Sequence, residues 1–161
     1  MRHHVKDSAR RTAEVAEMIR QWPEGKDLPD HEIKAVAGLV RDVTLPANWA
    51  FIAQDTPADA TYLLLSGEAK VVHEDTVVAK LGPGSVIGEM ALANHTLRTA
   101  TVVTTQPSRL LHVSAEAFEA MQKRCPQATS RWLAYASGRA RELTAKAQRP
   151  TAAPLFSPAA G

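Results

Sequence analysis

The stretch Leu81-Gly-Pro-Gly-Ser-Val-Ile-Gly-Glu-Met-Ala-Leu-Ala-Asn-His-Thr-Leu-Arg-Thr-Ala-Thr-Val-Val103 decides the reading of this chain. A strand over Ser85–Ile87 ends at Gly88, a residue that permits a tight backbone and the close approach of a ligand. Glu89-Met90-Ala91-Leu92 can make one short helical turn, whose unpaired N–H groups attract anions. After a spacer, Ala93–Leu97, Arg98 is predicted to begin the next strand. Arg98 and the helix start can then face each other across one small pocket. An acid, a fixed arginine and a bare helix start suit a ligand with both a phosphate and a hydroxyl. The alternative is a buried structural ion pair, the natural reading of an isolated Glu and Arg. Gly82, Gly84 and Gly88 are spaced Gly-x-Gly-x-x-x-Gly, with no long helix behind them and no Gly-Lys-Ser/Thr. That argues against a Rossmann fingerprint or a P-loop.

The same pattern extends on both sides. Short apolar segments at Trp49–Ala53, Thr61–Leu65, Ala69–His73, Val77–Lys80, Ser85–Ile87, Thr99–Thr104 and Arg109–Val113 alternate with turn residues such as Ser66-Gly67, Glu74-Asp75 and Gly82-Pro83-Gly84. Turns every 8–12 residues predict a sandwich or small barrel-like roll. Helices flank it. Val15, Met18, Ile19 and Trp22 put one apolar face on a helix over Ser8–Trp22, stopped by Pro23 and Gly25. A second short helix starts near Asp30, an N-cap candidate. Ser114 is predicted to cap a helix over Ala115–Lys123, and Pro126 to open a long one reaching about Ala147.

Here the residues match a known pattern. Gly88-Glu89-Met90-Ala91-Leu92, the five-residue spacer and Arg98-Thr99-Ala100-Thr101-Val102 closely resemble the phosphate-binding cassette of cyclic nucleotide-binding domains. Tyr62-Leu-Leu-Leu-Ser-Gly67 and Leu81-Gly-Pro-Gly84 resemble other parts of that family, so the likeness covers roughly residues 30–147. The resemblance implies a mainly β fold with flanking α: an eight-stranded, jelly-roll-like β-roll with N-terminal helices and two C-terminal helices. It divides the chain into an N-terminal helical segment (1–29), the binding domain (30–147) and a Pro/Ala-rich tail (148–161) expected to be disordered. It implies that Arg98 pairs with a cyclic phosphate, Glu89 with the ribose 2′-OH, and the N–H groups of Ala91 and its neighbours with phosphate oxygens. Gly88 lets the backbone come close, Thr99 bonds phosphate or base edge, and Met90, Leu92 and Ala100 complete the cassette. Leu143 and Thr144 fall near the family's base-lid positions. Two departures stand out. His95-Thr96-Leu97 replaces a frequent Gly-x-Pro before the arginine, and Asp55 stands near a usual turn glycine; aspartate tolerates the left-handed conformation.

Composition narrows the function. The chain has 161 residues, enough for one domain with a real core. Its 19 Lys and Arg against 17 Asp and Glu leave +2, too balanced to argue for nucleic acid or an anionic membrane. One cysteine, Cys125, excludes an internal disulfide and a Cys-cluster zinc site. His3-His4 reads as a solvated terminus rather than a metal patch, and His73, His95 and His112 lack metal-ligand spacing. No Ser/His/Asp set, activated cysteine or carboxylate pair with a base points to an enzyme. No apolar run approaches a membrane span, and no secretory signal precedes the domain, so a cytoplasmic location is expected. The expected function is a regulatory module that binds cAMP, with cGMP as the other candidate, and converts occupancy into movement of the C-terminal helix. The alternative is a ligand-independent structural or protein-docking module of the same fold. A DNA-binding regulator is disfavoured, because the 14 residues after Ala147 leave no room for a helix-turn-helix. Trp132, Leu133, Ala136, Ala140, Leu143 and Ala147 share one side of the long helix, either packed on the roll or forming a homodimer seam. A further protein partner is expected but not identified by the sequence.

Overall fold

A computed structural model of the chain describes residues 2–134. Two helices, α1 (Arg2–Gln21) and α2 (Asp30–Leu39), precede eight strands. These are β1 (Arg41–Leu45), β2 (Ala50–Ile52), β3 (Ala60–Ser66), β4 (Ala69–His73), β5 (Thr76–Leu81), β6 (Val86–Ile87), β7 (Thr101–Thr104) and β8 (Ser108–Ser114). A short helix, α3 (Glu89–Asn94), sits between β6 and β7, and α4 (Ala115–Arg124) follows β8. A fifth helix, α5, is described over 126–134. The strands form two antiparallel four-stranded sheets, ordered β1-β8-β3-β6 and β2-β7-β4-β5. The fold is the β-roll with flanking helices that the sequence leads one to expect.

The first sheet is covered on both faces, so its central strands read as nearly continuous apolar runs. Along β3, Tyr62 and Leu64 enter the inner core between the sheets, with Ile52, Leu81, Val102 and Leu110. Leu63 points the other way, into a second core with Val15 and Ile19 of α1, Trp22 just after it, Ile33 and Val36 of α2, Phe118 and Met121 of α4, and Trp132 of α5. Alternation of period two thus feeds two cores from one strand.

Several boundaries differ from expectation. α1 begins at Arg2, not Ser8; the Ser8 carbonyl accepts the Thr12 hydroxyl within the helix. Pro29, not Asp30, holds the N-cap of α2, and Asp30 pairs with Arg20 and Lys34. β1 is an additional strand, paired with β8 from Arg41↔His112 to Leu45↔Ser108. β7 starts at Thr101, so Arg98 precedes the strand rather than beginning it. Ser114 caps α4 as predicted, its hydroxyl accepting the Ala117 N–H at 3.1 Å. Trp132 is buried in the outer core and Leu133 packs against it, which favours packing on the roll over a free seam for this part of α5. Ala136, Ala140, Leu143, Thr144, Ala147 and the tail lie outside the described residues.

Candidate functional site

The site is a cavity of about 190 Å³ at the mouth of the roll. Gly88, Glu89, Met90 and Ala91 line one side, Arg98, Thr99 and Ala100 another. Seven of the eight cassette residues singled out in the sequence therefore meet around one space. Leu92 is the exception: its side chain is buried in the outer core on the helix side of the sheet. The floor was not foreseen. Ile52, Val71, Leu81 and Val102 reach it from the second sheet, with Val86 and Ile87 from the first. Alternation marks such residues as inward-facing, but only the pairing of the strands says which of them meet.

Gly88 makes the corner. Its φ is +81°, and a Cβ there would come within 2.5 Å of Arg98 Nη1. Any side chain would be strained by the backbone and would collide with the guanidinium. Glu89 then opens α3, with its side chain 6% exposed. Burial pushes its carboxyl above the usual glutamate range; its own N–H, that of Met90 and the Arg98 charge pull part of the way back.

Arg98 is 4% exposed, and the chain holds both its backbone and its guanidinium. Its N–H donates to Thr56 O and its carbonyl accepts from Asp55 N–H, both at 2.8 Å, so the 55–56 turn fixes its backbone. Asp55 adopts φ 64°, the left-handed conformation aspartate tolerates. Nη1 donates to Gly88 O at 2.6 Å and Nη2 to Ala60 O. Its ion pair among the described residues is with the exposed Asp59 at 3.6 Å, not with Glu89. The buried Glu89–Arg98 ion pair considered from the sequence is therefore not what the residues form. The guanidinium sits at the cavity wall on neutral carbonyls, a weakly compensated charge beside open space, suited to an anion. Thr99 is exposed at the rim, and its carbonyl accepts a hydrogen bond from His73 Nδ1 at 2.7 Å.

His95 ends α3 at φ 54°, ψ 41°, a left-handed conformation held by a non-glycine residue. No helix among the described residues is long and apolar enough to cross a membrane.

Comparison with known proteins covers the stretch that carries this site. Neuropathy target esterase sws of Drosophila persimilis is 26% identical over 151 residues, which cover 86% of this chain and 10% of that protein. The chain thus spans about a tenth of the length of such curated relatives. A cyclic nucleotide-binding domain from Methylobacillus flagellatus KT shares the fold with a TM-score of 0.73 and 23% identity, over 89% of this chain and 86% of that one. The regulatory domain of Toxoplasma gondii PKA, solved with cAMP, gives a TM-score of 0.60 and 24% identity, over 68% of this chain and 43% of that one. The profile of the cyclic nucleotide-binding domain itself matches residues 42–125, from β1 through Cys125, just over half of the chain and the whole cassette with it. Roll, cassette and profile coincide, and the chain belongs to the cyclic nucleotide-binding domain family.

Proposed function

We propose that this chain is a non-catalytic regulatory module that binds a 3′,5′-cyclic nucleotide, with cAMP preferred over cGMP, in the cavity between Gly88–Ala91 and Arg98–Ala100. One observation carries the reading: a buried guanidinium, compensated by two neutral carbonyls and one exposed carboxylate, lines a cavity with an apolar floor. Arg98 takes the cyclic phosphate with its planar fork. Glu89 accepts the ribose 2′-OH, and the N–H groups around Ala91 bind phosphate oxygens. Thr99 meets phosphate or base edge, while Ile52, Val71, Leu81 and Val102 pack the apolar faces of the ligand. The cAMP held by the Toxoplasma gondii domain supports that choice of ligand.

The cavity, about 190 Å³, is smaller than the ~300 Å³ at which small-molecule sites usually begin. The described walls thus suit phosphate and ribose, and the base needs further cover. In this reading Leu143 and Thr144 supply it, and the C-terminal helix moves when the ligand binds, by an amount set by the difference in affinity between its two positions. Sedimentation with and without nucleotide tests whether that movement also shifts a homodimer equilibrium.

Calorimetric titration of the full chain with cAMP and cGMP tests the proposal. The expected result is one nucleotide per chain, a rise in Tm at saturation and a preference for cAMP. No heat and no Tm shift with either nucleotide at millimolar concentration overturns it. That outcome would favour the ligand-independent docking module, whose support is that Gly88 O and Ala60 O already occupy the guanidinium.

A further inference from the structure

Behind the cavity, on the helix side of the first sheet, a buried polar chain crosses from α5 to the cassette. The last registered pair between β3 and β6 is Tyr62↔Ile87. One residue earlier on β3, the wholly buried Thr61 reaches over with its side chain. Its hydroxyl donates to Ile87 O at 2.9 Å. The same oxygen accepts the indole N–H of Trp132 at 3.2 Å. An indole N–H can only donate and a hydroxyl has one proton, so the direction of the chain is fixed: Trp132 to Thr61 to Ile87. A valine would fill the same space without a hydroxyl that must be satisfied, so packing alone does not call for threonine.

One end of this chain lies beside the ligand site and the other within α5. Ile87 precedes Gly88, whose carbonyl accepts from Arg98 Nη1 at 2.6 Å. Ala60, just before Thr61, gives its carbonyl to Arg98 Nη2. Residues 60–61 and 87–88 are therefore pinned twice, by Arg98 on the cavity face and by Thr61 on the helix face. Trp132 in turn meets Trp22 edge-to-face at 5.8 Å.

We propose that Trp132, Thr61 and Ile87 form a strap that makes the position of the cassette depend on the seat of α5, with Thr61 as its positioning residue. The ligand-driven half of this proposal rests on the cyclic nucleotide reading above. A phosphate that draws the Arg98 fork away from Ala60 O and Gly88 O releases one of the two pins. The strap then carries the displacement of residues 87–88 through the sheet to Trp132. Hydrogen-bonded chains of this kind strengthen cooperatively in a low-dielectric interior.

The test uses the full chain in two arms. Without ligand, amide hydrogen exchange over 88–92 is followed in wild type, Thr61→Val, Thr61→Ser, Trp132→Phe and the Val/Phe double variant. Trp132→Phe lies across the sheet from the cassette, yet it is expected to speed that exchange roughly tenfold, about one lost hydrogen bond. Thr61→Val should do the same, the double variant no more, and Thr61→Ser should restore the wild-type rate. Unchanged exchange in Trp132→Phe, or Thr61→Ser as fast as Thr61→Val, overturns the strap. With cAMP, the Trp132 indole N–H resonance should move in wild type and Thr61→Ser but stay in place in Thr61→Val. An equal shift in Thr61→Val also overturns it. If wild type binds no nucleotide, the reading of the site fails, and the ligand-free arm still decides the strap. Should Thr61→Val not fold, Thr61→Ser and Trp132→Phe decide it between them.

Discussion

Three charged side chains are buried among the described residues, and they fall in two regions that treat charge differently. Arg98 and Glu89 border the cavity at the mouth of the roll. Glu32, 1% exposed, is enclosed in the helical layer, where its Oε1 accepts the Ala128 N–H at 3.0 Å. Ala128 is the third residue of α5, so Glu32 caps that helix from α2, a side chain 96 positions away in sequence. Both Arg98 and Glu32 rest on backbone groups. Only Arg98 has open space beside it. A buried charge sealed by its partners positions structure, whereas one facing a cavity is available to a ligand. The difference predicts which measurement each residue moves.

Arg98→Ala should give the largest effect, and on binding. Losing one partner of a buried, charge-assisted contact costs roughly 2–5 kcal/mol, so cAMP affinity should fall about 30- to 4,000-fold by calorimetry. Arg98→Lys should also fail, because a point charge does not replace a planar fork. Affinity equal to wild type would put the ligand elsewhere and erase the contrast.

Glu32→Ala should act on stability instead. It leaves the buried Ala128 N–H without its acceptor, worth roughly 1–3 kcal/mol. Urea unfolding should show this as a lower midpoint, while cAMP affinity changes far less than in Arg98→Ala. A variant as stable as wild type would mean that water or another group caps α5 equally well.

The sequence made these two regions unequally visible. Arg98 and Glu89 were found because the cassette is local: Gly88 through Ala100 carries its spacing in one uninterrupted stretch. Glu32 was not, because an acid in the first turn of a helix reads as a favourable dipole contact, and nothing local says that its partner is α5. β1 escaped for a similar reason. Arg41-Asp42-Val43-Thr44-Leu45 is short and opens on two charged residues, and it becomes a strand through pairing with β8, where Arg109 meets the Asp42 carboxylate. Arg98 reads as part of a strand because Arg-Thr-Ala-Thr-Val-Val continues smoothly into β7. The 55–57 turn holds it out of the ladder, through backbone bonds at Asp55 and Thr56 and the Pro57↔Leu97 bridge.

Glu89 allows a finer test, in which stability and binding should move in opposite directions with pH. Burial raises its folded-state value above the unfolded one. Its contribution to stability is therefore fully present below the unfolded value and is lost as pH rises through the raised folded value. The ribose hydroxyl needs the carboxylate as acceptor, so affinity should fall as pH drops through that same window. Glu89→Gln should flatten both profiles relative to wild type, in thermal melts and titrations run from neutral pH to about 4.5. If Glu89→Gln leaves the affinity profile unchanged, the carboxylate does not meet the ribose.

The smallest effect is expected at His95, which follows the last residue of α3 and stands three positions before Arg98. His95 holds φ 54° and ψ 41° and donates its N–H to Ala91 O. A non-glycine residue in the left-handed region carries a penalty of roughly 1–2 kcal/mol. His95→Gly removes that penalty but adds freedom to the unfolded chain, worth about 0.4–1 kcal/mol in the other direction. The net gain in stability should thus lie between zero and about 1.6 kcal/mol, read as a modest rise in the urea midpoint. Arg98 should not feel the change, because its backbone is anchored to Asp55 and Thr56 rather than to the loop before it. Unaltered cAMP affinity in a slightly more stable protein would confirm that Arg98 is positioned by the 55–56 turn. A loss of affinity would instead make the left-handed histidine part of how the cassette presents its arginine, and would extend the ligand region back to the end of α3.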